Sequence, residues 1–223
     1  LRKGIFGMGL VELPGLRSLD SNLRIDYPIP SLSSIELRVQ TKGVGIPTFD
    51  DPITSVEVND IVLDGPEGSI LEQLQDLVRA EDPDIIYTAK GDSFYLPYLR
   101  KRAAENGMEL ELGRERGERT SRGKSFFTYG RIVYKPPGHK LRGRVHIDRE
   151  SSFTFRESGL HGLIELSRLS MIPLQDVSRL SPGSAISAMQ VNEAVRTGHV
   201  ILWKKNRPED FKTAGALIVS DRG

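Results

Sequence analysis

Hydrophobic and polar positions along the chain fall into stretches of two kinds, one alternating and one repeating every three to four residues. From Ser34 to Thr41 apolar Ile35, Leu37 and Val39 alternate with Glu36, Arg38 and Gln40, which predicts a half-buried strand. Ile53 to Leu63 carries Ile53, Val56, Val58, Ile61 and Val62, and Asn59-Asp60 in its middle predicts a break into a hairpin. Ile70, Leu71, Leu74, Leu77 and Val78 have helical spacing and predict a helix over Ser69 to Ala80. Ile85-Ile86-Tyr87 is a short run of β-formers bounded by Pro83 and Gly91. After Gly91, Asp92 or Ser93 can cap a helix carrying Leu96, Leu99 and the basic Arg100-Lys101-Arg102.

Further along, Met108 to Leu112 reads as a short strand and Gly113 to Lys124 as a charged, mobile loop. Phe126–Tyr134 and Leu141–Asp148 read as two strands joined through Lys135–Lys140, a β-hairpin at about residues 126–148. From Phe155 onward the spacing turns helical over Gly159–Leu169, Leu174–Ser178 and Ser184–Thr197. Residues 1–33 are rich in Gly and Pro and predict irregular structure with one or two short strands. The expected organisation is an entry segment at 1–33, an α/β domain at 34–155, a helical segment at 156–198 and a linker at 199–223.

Length and composition narrow the class. The chain has 223 residues, of which 38 % are hydrophobic, enough for one large α/β domain with extensions. There is no cysteine, which excludes disulfides and thiolate metal sites and suits the cytoplasm. No apolar run approaches a membrane span and no secretory leader is visible. The chain starts at Leu1 without Met and stops at Asp221-Arg222-Gly223, which suggests a piece of a longer protein.

The net charge is only +1, but it is unevenly spread. Between Arg114 and Arg144 stand ten Lys or Arg against two acidic residues, a local charge of +8. Phe126, Phe127, Tyr129 and Tyr134 interleave with that charge. Cations beside aromatic rings suit contact with nucleic-acid backbone and bases, although strand aromatics also pack inward. Arg114, Arg116, Arg119, Arg122, Lys124, Arg131, Lys135 and Lys140 are the candidate DNA contacts. Trp203-Lys204-Lys205 adds Lys204 and Lys205, with Trp203 as a packing anchor.

Other chemistries lack their patterns. His139, His146, His161 and His199 have no metal-ligand spacing, and His146 between Val145 and Ile147 suits a surface or hydrogen-bonded role. Gly4, Gly7 and Gly9 lack the strand–loop–helix context of a phosphate loop, and no nucleophile elbow accompanies a Ser. Asp148-Arg149-Glu150 reads as solvated charges at a strand end, and Asp92 as a helix cap.

The stretch from Asp82 to Ala103, DPDIIYTAKGDSFYLPYLRKRA, resembles the second exonuclease motif of archaeal B-family DNA polymerases. Gly143 to Asp148 (GRVHID) resembles the strand after that motif. Leu166 to Gln190 resembles the helix–turn–helix before the palm, and Ile201 to Gly223 the linker into it. The resemblance implies a ribonuclease H-like 3′–5′ exonuclease-type domain: a mixed sheet flanked by helices, with a β-hairpin and a helical C-terminal segment. Its relatives cleave a phosphodiester with two divalent metals. Those metals are held by Asp-x-Glu on the first strand, an Asp in the second motif and Tyr-x-x-x-Asp on a late helix.

Here that chemistry is missing. The first motif falls best on Leu37–Thr41, so its Asp is Arg38 and its Glu is Gln40. In the second motif the Asn is Lys90 and the metal-binding Asp is Tyr95. The six tyrosines are followed four residues later by Ser31, Gly91, Leu99, Arg102, Val133 and Gly138, none acidic. The nearest analogue of the third motif is Phe155 to Gly159, and the stretch between Asp148 and Leu166 is short enough for that helix to be deleted. The reading that follows is the inactivated class of exonuclease-like domain, with no metal, no cofactor and no nuclease or polymerase activity in this chain. Its expected partners are DNA, the remaining polymerase domains of the same chain and replication proteins, with no membrane. Two alternatives stand beside it: an active nuclease built from Asp92, Asp148 and Glu150, and a protein-interaction module of a replication complex.

Overall fold

The computed structural model describes residues 6–43, 45–128 and 130–201. Its centre is a five-stranded mixed sheet in the order β11-β6-β3-β4-β5. These strands are β3 (Ser34–Thr41), β4 (Ile53–Val58), β5 (Ile61–Asp64), β6 (Ile85–Thr88) and β11 (Val145–Asp148). Strands β3, β6 and β11 run parallel, and the hairpin β3-β4-β5 adds antiparallel neighbours with the turn at Asn59-Asp60. Helix α1 (Glu67–Glu81) crosses from β5 to β6, and α2 (Leu96–Glu105) follows β6.

Alternation on β3 sorts its side chains between two faces. Ile35, Leu37 and Val39 are buried in a core shared with Val56, Ile70, Leu71, Leu74, Ile86 and Leu99, that is, with α1 and α2. On the other face Ile85, Tyr87 and Ile147 pack against Leu163 and Ile164 of α3 (Phe153–Ser170), Leu174 and Val177 of α4 (Leu174–Val177) and Ala185 of α5 (Pro182–Thr197). These helices cover only the β6/β11 half of that face. Over β3, Arg38 and Gln40 are exposed, so an open cleft is left beside α3.

The entry segment carries two paired two-residue strands, β1 (Val11–Glu12) and β2 (Arg17–Ser18). Buried Arg168 of α3 holds the segment down. Its guanidinium donates to Met8 O (2.8 Å), Asp20 Oδ2 (2.7 Å) and Ser21 O (2.9 Å) and lies 3.6 Å from the ring centroid of Tyr27.

Several expectations change between Met108 and Asp148. Met108–Leu112 is not a strand; Leu110 and Leu112 are buried by the side of the core without a pairing partner. The segment expected to be mobile holds β7 (Glu118–Ser121), which pairs with β10 (Gly138–Leu141). Phe126–Tyr134 is not one strand but lies within a hairpin of β8 (Lys124–Thr128) and β9 (Arg131–Lys135), turned at Gly130 with φ 73°. Leu141–Asp148 divides between β10 and β11, and β11 leaves the ribbon to pair in parallel with β6. Alternation marks a strand but not its partner, which is why the hairpin expected at 126–148 pairs differently.

The end of β6 also differs from the expected capped helix. Residues Gly91–Tyr95 form a π turn in which Lys90 O accepts the Phe94 and Tyr95 N–H groups at 2.8 and 2.9 Å. Asp92 caps nothing, because Arg179 takes both its oxygens. Arg179 Nε and Nη2 donate to Asp92 Oδ2 and Oδ1, each at 2.8 Å. Asp92 Oδ1 also accepts His139 N at 2.8 Å, and Arg179 Nη1 reaches His146 O at 3.0 Å. His146 is fully buried, with Nε2 2.8 Å from Thr88 Oγ1 and Nδ1 2.7 Å from Arg179 Nη2. Nδ1 also lies 2.9 Å from the His139 carbonyl oxygen, so it stands between a donor and an acceptor, and Thr88 Oγ1 takes the complementary role at Nε2. Gly91 is required here: a Cβ would lie 2.1 Å from Thr88 Oγ1 and 2.3 Å from His146 Nε2.

Burial, with Arg179 beside the ring, lowers the His146 pKa from 6.5 to about 4. Between those values the unfolded chain binds a proton that the folded chain refuses, so stability falls as pH drops through that window. Urea unfolding of the protein against His146→Gln isolates this contribution. The expected difference is a loss of about 3 kcal/mol in the parent between neutral pH and pH ~4 that the variant lacks. A second expected outcome concerns the α3 side of the sheet. Ile147→Ala should lower stability by about 2–5 kcal/mol, against under about 1 kcal/mol for Ile61→Ala at the half-exposed edge.

Candidate functional site: a cleft lined by fixed cations

The cleft opens on the uncovered face of β3, where the π turn and the end of β11 border it. Glu36, Arg38 and Gln40 share this face of the strand, with Glu57 opposite Arg38 on β4. Arg38 Nη2 lies 3.2 Å from Glu36 Oε1 and its Nη1 3.5 Å from Glu57 Oε1. The hydrogen bond to Glu36, with the charges of Glu36 and Glu57, favours the protonated guanidinium further. The second oxygen of Glu36 is taken from the other side by Arg149 Nη1 at 2.9 Å. Arg149 in turn lies 4.6 Å from the Tyr87 ring centroid and 5.7 Å from that of Phe155. One carboxylate is thus held between two guanidinium groups, one of them seated on aromatic rings.

Tyr95 lies in the π turn against the same cleft. Burial raises its phenol pKa; Glu150 and Asp148 raise it further, while a backbone contact with Val39 and the Arg38 charge oppose. Tyr95 is therefore a neutral phenol at physiological pH. Gln40 and Lys90 are exposed, and the Lys90 carbonyl closes the π turn.

Asp148 is buried rather than solvated. Its Oδ2 accepts Asp92 N at 3.0 Å, and its Oδ1 accepts Glu150 N at 3.1 Å and Ser151 N at 3.3 Å. Burial raises its pKa; the backbone N–H donors of Asp92, Ser151 and Glu150 oppose the rise and the Asp92 charge adds to it. Glu150 is exposed. The three acids of the alternative nuclease reading are thus differently employed: Asp92 by Arg179, Asp148 by backbone N–H groups, and Glu150 by solvent. Among the described residues no three His, Asp or Glu side chains are grouped so as to hold a metal ion. A divalent pair needs converging carboxylate oxygens. A guanidinium, an amide, a phenol and an ammonium at Arg38, Gln40, Tyr95 and Lys90 do not fit one.

The basic stretch is only partly available to a partner. Arg114 is paired with Asp82 at 2.8 Å and Asp84 at 3.0 Å, and Lys140 with Asp176 at 2.5 Å. Lys135 donates to the Arg179 carbonyl. Arg116, Arg119 and Arg122 are exposed, while Lys124 and Arg131 belong to β8 and β9. Trp203, Lys204 and Lys205 lie outside the described residues. Sequence reasoning missed Glu36 and Arg149, which alternation and the Asp-Arg-Glu string both marked as solvent-facing charge. It also missed Arg179 and Glu118. Glu118 is buried beside His139 (2.7 Å) and Arg100; burial opposes its ionisation, but these partners prevail and hold its carboxyl down at about 2.

Comparison with known proteins places this geometry. Residues 50–156 match the exonuclease domain of DNA polymerase family B. A DNA polymerase of Archaeoglobus fulgidus is 27 % identical over 146 residues, 63 % of this chain and 17 % of that protein. A DNA polymerase of Pyrococcus glycovorans is 35 % identical over 82 residues, 37 % of this chain and 9 % of that protein. The chain therefore spans under a fifth of the length of these relatives. The structure of the family B DNA polymerase from the hyperthermophilic archaeon Pyrobaculum calidifontis superposes with a TM-score of 0.66 at 20 % identity. That superposition covers 94 % of this chain and 37 % of that one. The shared fold is the ribonuclease H-like sheet with flanking helices, and residues 50–156, just under half of the chain, are similar to the exonuclease domain of the family B DNA polymerases.

Proposed function

We propose that this chain is a catalytically inactive exonuclease-like domain of a B-family polymerase, kept as a structural and DNA-contacting module. The observation that carries the reading is the Arg38–Glu36–Arg149 cluster. Where the resemblance sets a metal-binding Asp, Arg38 supplies a permanent positive charge bound to the protein's own carboxylates. A divalent ion arriving there would meet repulsion from Arg38, and Glu36 would have to give up two charge-assisted hydrogen bonds to ligate it.

The remaining roles follow from the family. The other polymerase domains and the template–primer DNA are the partners proposed for this domain in the cytoplasm, with replication proteins beyond them. No helix among the described residues is long and apolar enough to cross a membrane. The proposed division keeps 34–155 as the exonuclease-like unit, 1–33 as its entry segment, 156–198 as a helical segment and 199–223 as the lead into the palm.

Incubated with Mg²⁺ or Mn²⁺, the protein should leave a 3′-labelled single strand intact. Metal-dependent shortening above a mock preparation would end the proposal. The triple variant Arg38→Asp, Gln40→Glu, Tyr95→Asp should also be inactive, since no late-helix Tyr-x-x-x-Asp completes the set.

Asp92 separates the inactive reading from the rearranged nuclease. If Asp92 serves Arg179, Asp92→Ala should cost about 3–5 kcal/mol in chemical unfolding by stranding a buried guanidinium. The double variant Asp92→Ala, Arg179→Met should recover part of that loss. A stable but DNA-cleavage-deficient Asp92→Ala would instead favour the nuclease.

A further inference from the structure

The stretch from Gly43 to Val78 supplies β4, β5 and most of α1, and it holds eight acidic residues with no Lys, Arg or His. Its strand β5 is one edge of the central sheet, pairing with β4 and with no other strand. Val58 and Ile61 are paired across the two-residue turn. In such a hairpin the flanking pair is hydrogen-bonded, so ladder alternation turns the N–H and C=O groups of Val62 and Asp64 away from β4. The Asp64 carbonyl is reached only by Gln73 Nε2 at 3.5 Å, and the outward groups of Val62 have no partner among the described residues. The side chains at this edge are open to solvent: Val62 is 60 % exposed and Ile61 48 %.

The charges along the edge are not balanced. Asp60 and Asp64 stand on either side of Ile61 and Val62, both exposed, and neither carboxylate has a hydrogen bond or ion pair among the described residues. Glu57 lies opposite Val62 on β4 and shares Arg38 with Glu36. Elsewhere in the stretch Asp50 is paired with Lys101 and Glu67 with Arg102. The edge thus joins free backbone groups, two accessible apolar side chains and two uncompensated carboxylates. Nucleic acid is excluded by its own negative charge. A second copy is disfavoured too, because two β5 edges laid together would gather four unpaired carboxylates.

We propose that β5 receives an added strand: an extended peptide, supplied by a partner protein, in which Lys or Arg alternates with apolar residues. Its backbone continues the ladder at Val62 and Asp64, which fixes it in extended form. Its apolar side chains cover Val62 and Ile61 on the two faces of the sheet, and its cations meet Asp60 and Asp64. The surface is the edge of the sheet rather than the cleft, so it does not rest on the loss of nuclease activity or on contact with DNA.

The test follows a fluorescent peptide of alternating lysine and valine by anisotropy across a salt series, with amide hydrogen exchange as a second readout. The expected result is saturable binding that weakens with salt and slows exchange of the Val62 and Asp64 amides about tenfold or more. The peptide with glutamate in place of lysine should not bind, nor should one methylated at every backbone nitrogen, which cannot pair. Asp60→Asn/Asp64→Asn removes two exposed charges and should weaken binding about fivefold at low salt. Val62→Pro removes an outward N–H, leaves the β4 ladder in place and should abolish binding. Binding of the methylated peptide, parent-like binding by the Asn double variant, or no binding by the parent at low salt would each overturn the proposal. So would a dimer of the peptide-free parent that Val62→Pro dissolves, since the edge would then belong to a second copy.

Discussion

The bidentate pair between Asp92 and Arg179 ties together parts of the chain 87 residues apart. Both side chains are almost wholly buried, at 4 and 8 % exposure, so neither charge has solvent to fall back on. Arg179 stands just past α4 and also grips the carbonyls of His139 and His146. Asp92 stands in the π turn after β6 and receives the His139 amide. A single guanidinium therefore joins the central sheet, the β7/β10 ribbon and the C-terminal helices. The cleft borders this junction through the π turn.

That junction also accounts for the unusual backbone after β6. A regular helix start would let Asp92 cap it. The π turn instead directs the carboxylate inward to Arg179, and the turn sits so tightly on Thr88 and His146 that only Gly fits at position 91. Asp148 completes the arrangement by accepting the Asp92 amide. Two acids that a rearranged nuclease would need are thus occupied, Asp92 by Arg179 and the His139 amide and Asp148 by backbone N–H groups.

Much of this was legible from residue order. The alternation in Ser34–Thr41, the hairpin break at Asn59-Asp60 and the helical spacing of Ile70 to Val78 are local patterns, and local patterns set these elements. Strand partners were not legible, because alternation does not name a partner: β10 and β11 pair with β7 and β6 respectively. The substituted positions Arg38, Gln40, Lys90 and Tyr95 were readable by resemblance. Arg149 and Arg179 were not, since an Arg that pairs across 113 or 87 residues looks the same in a string as one that faces water. The same limit applied to the basic stretch: Arg114 and Lys140 carry charge that neighbouring acids already neutralise.

The Arg38–Glu36–Arg149 cluster has one more consequence. A site that borrows Mg²⁺ from solution changes its charge, and often its shape, when a chelator strips the ion away. This cleft has its counter-ions bonded into the chain on β3 and at the end of β11. On the function proposed here, its electrostatic state is expected not to change with EDTA or with swings in cellular magnesium.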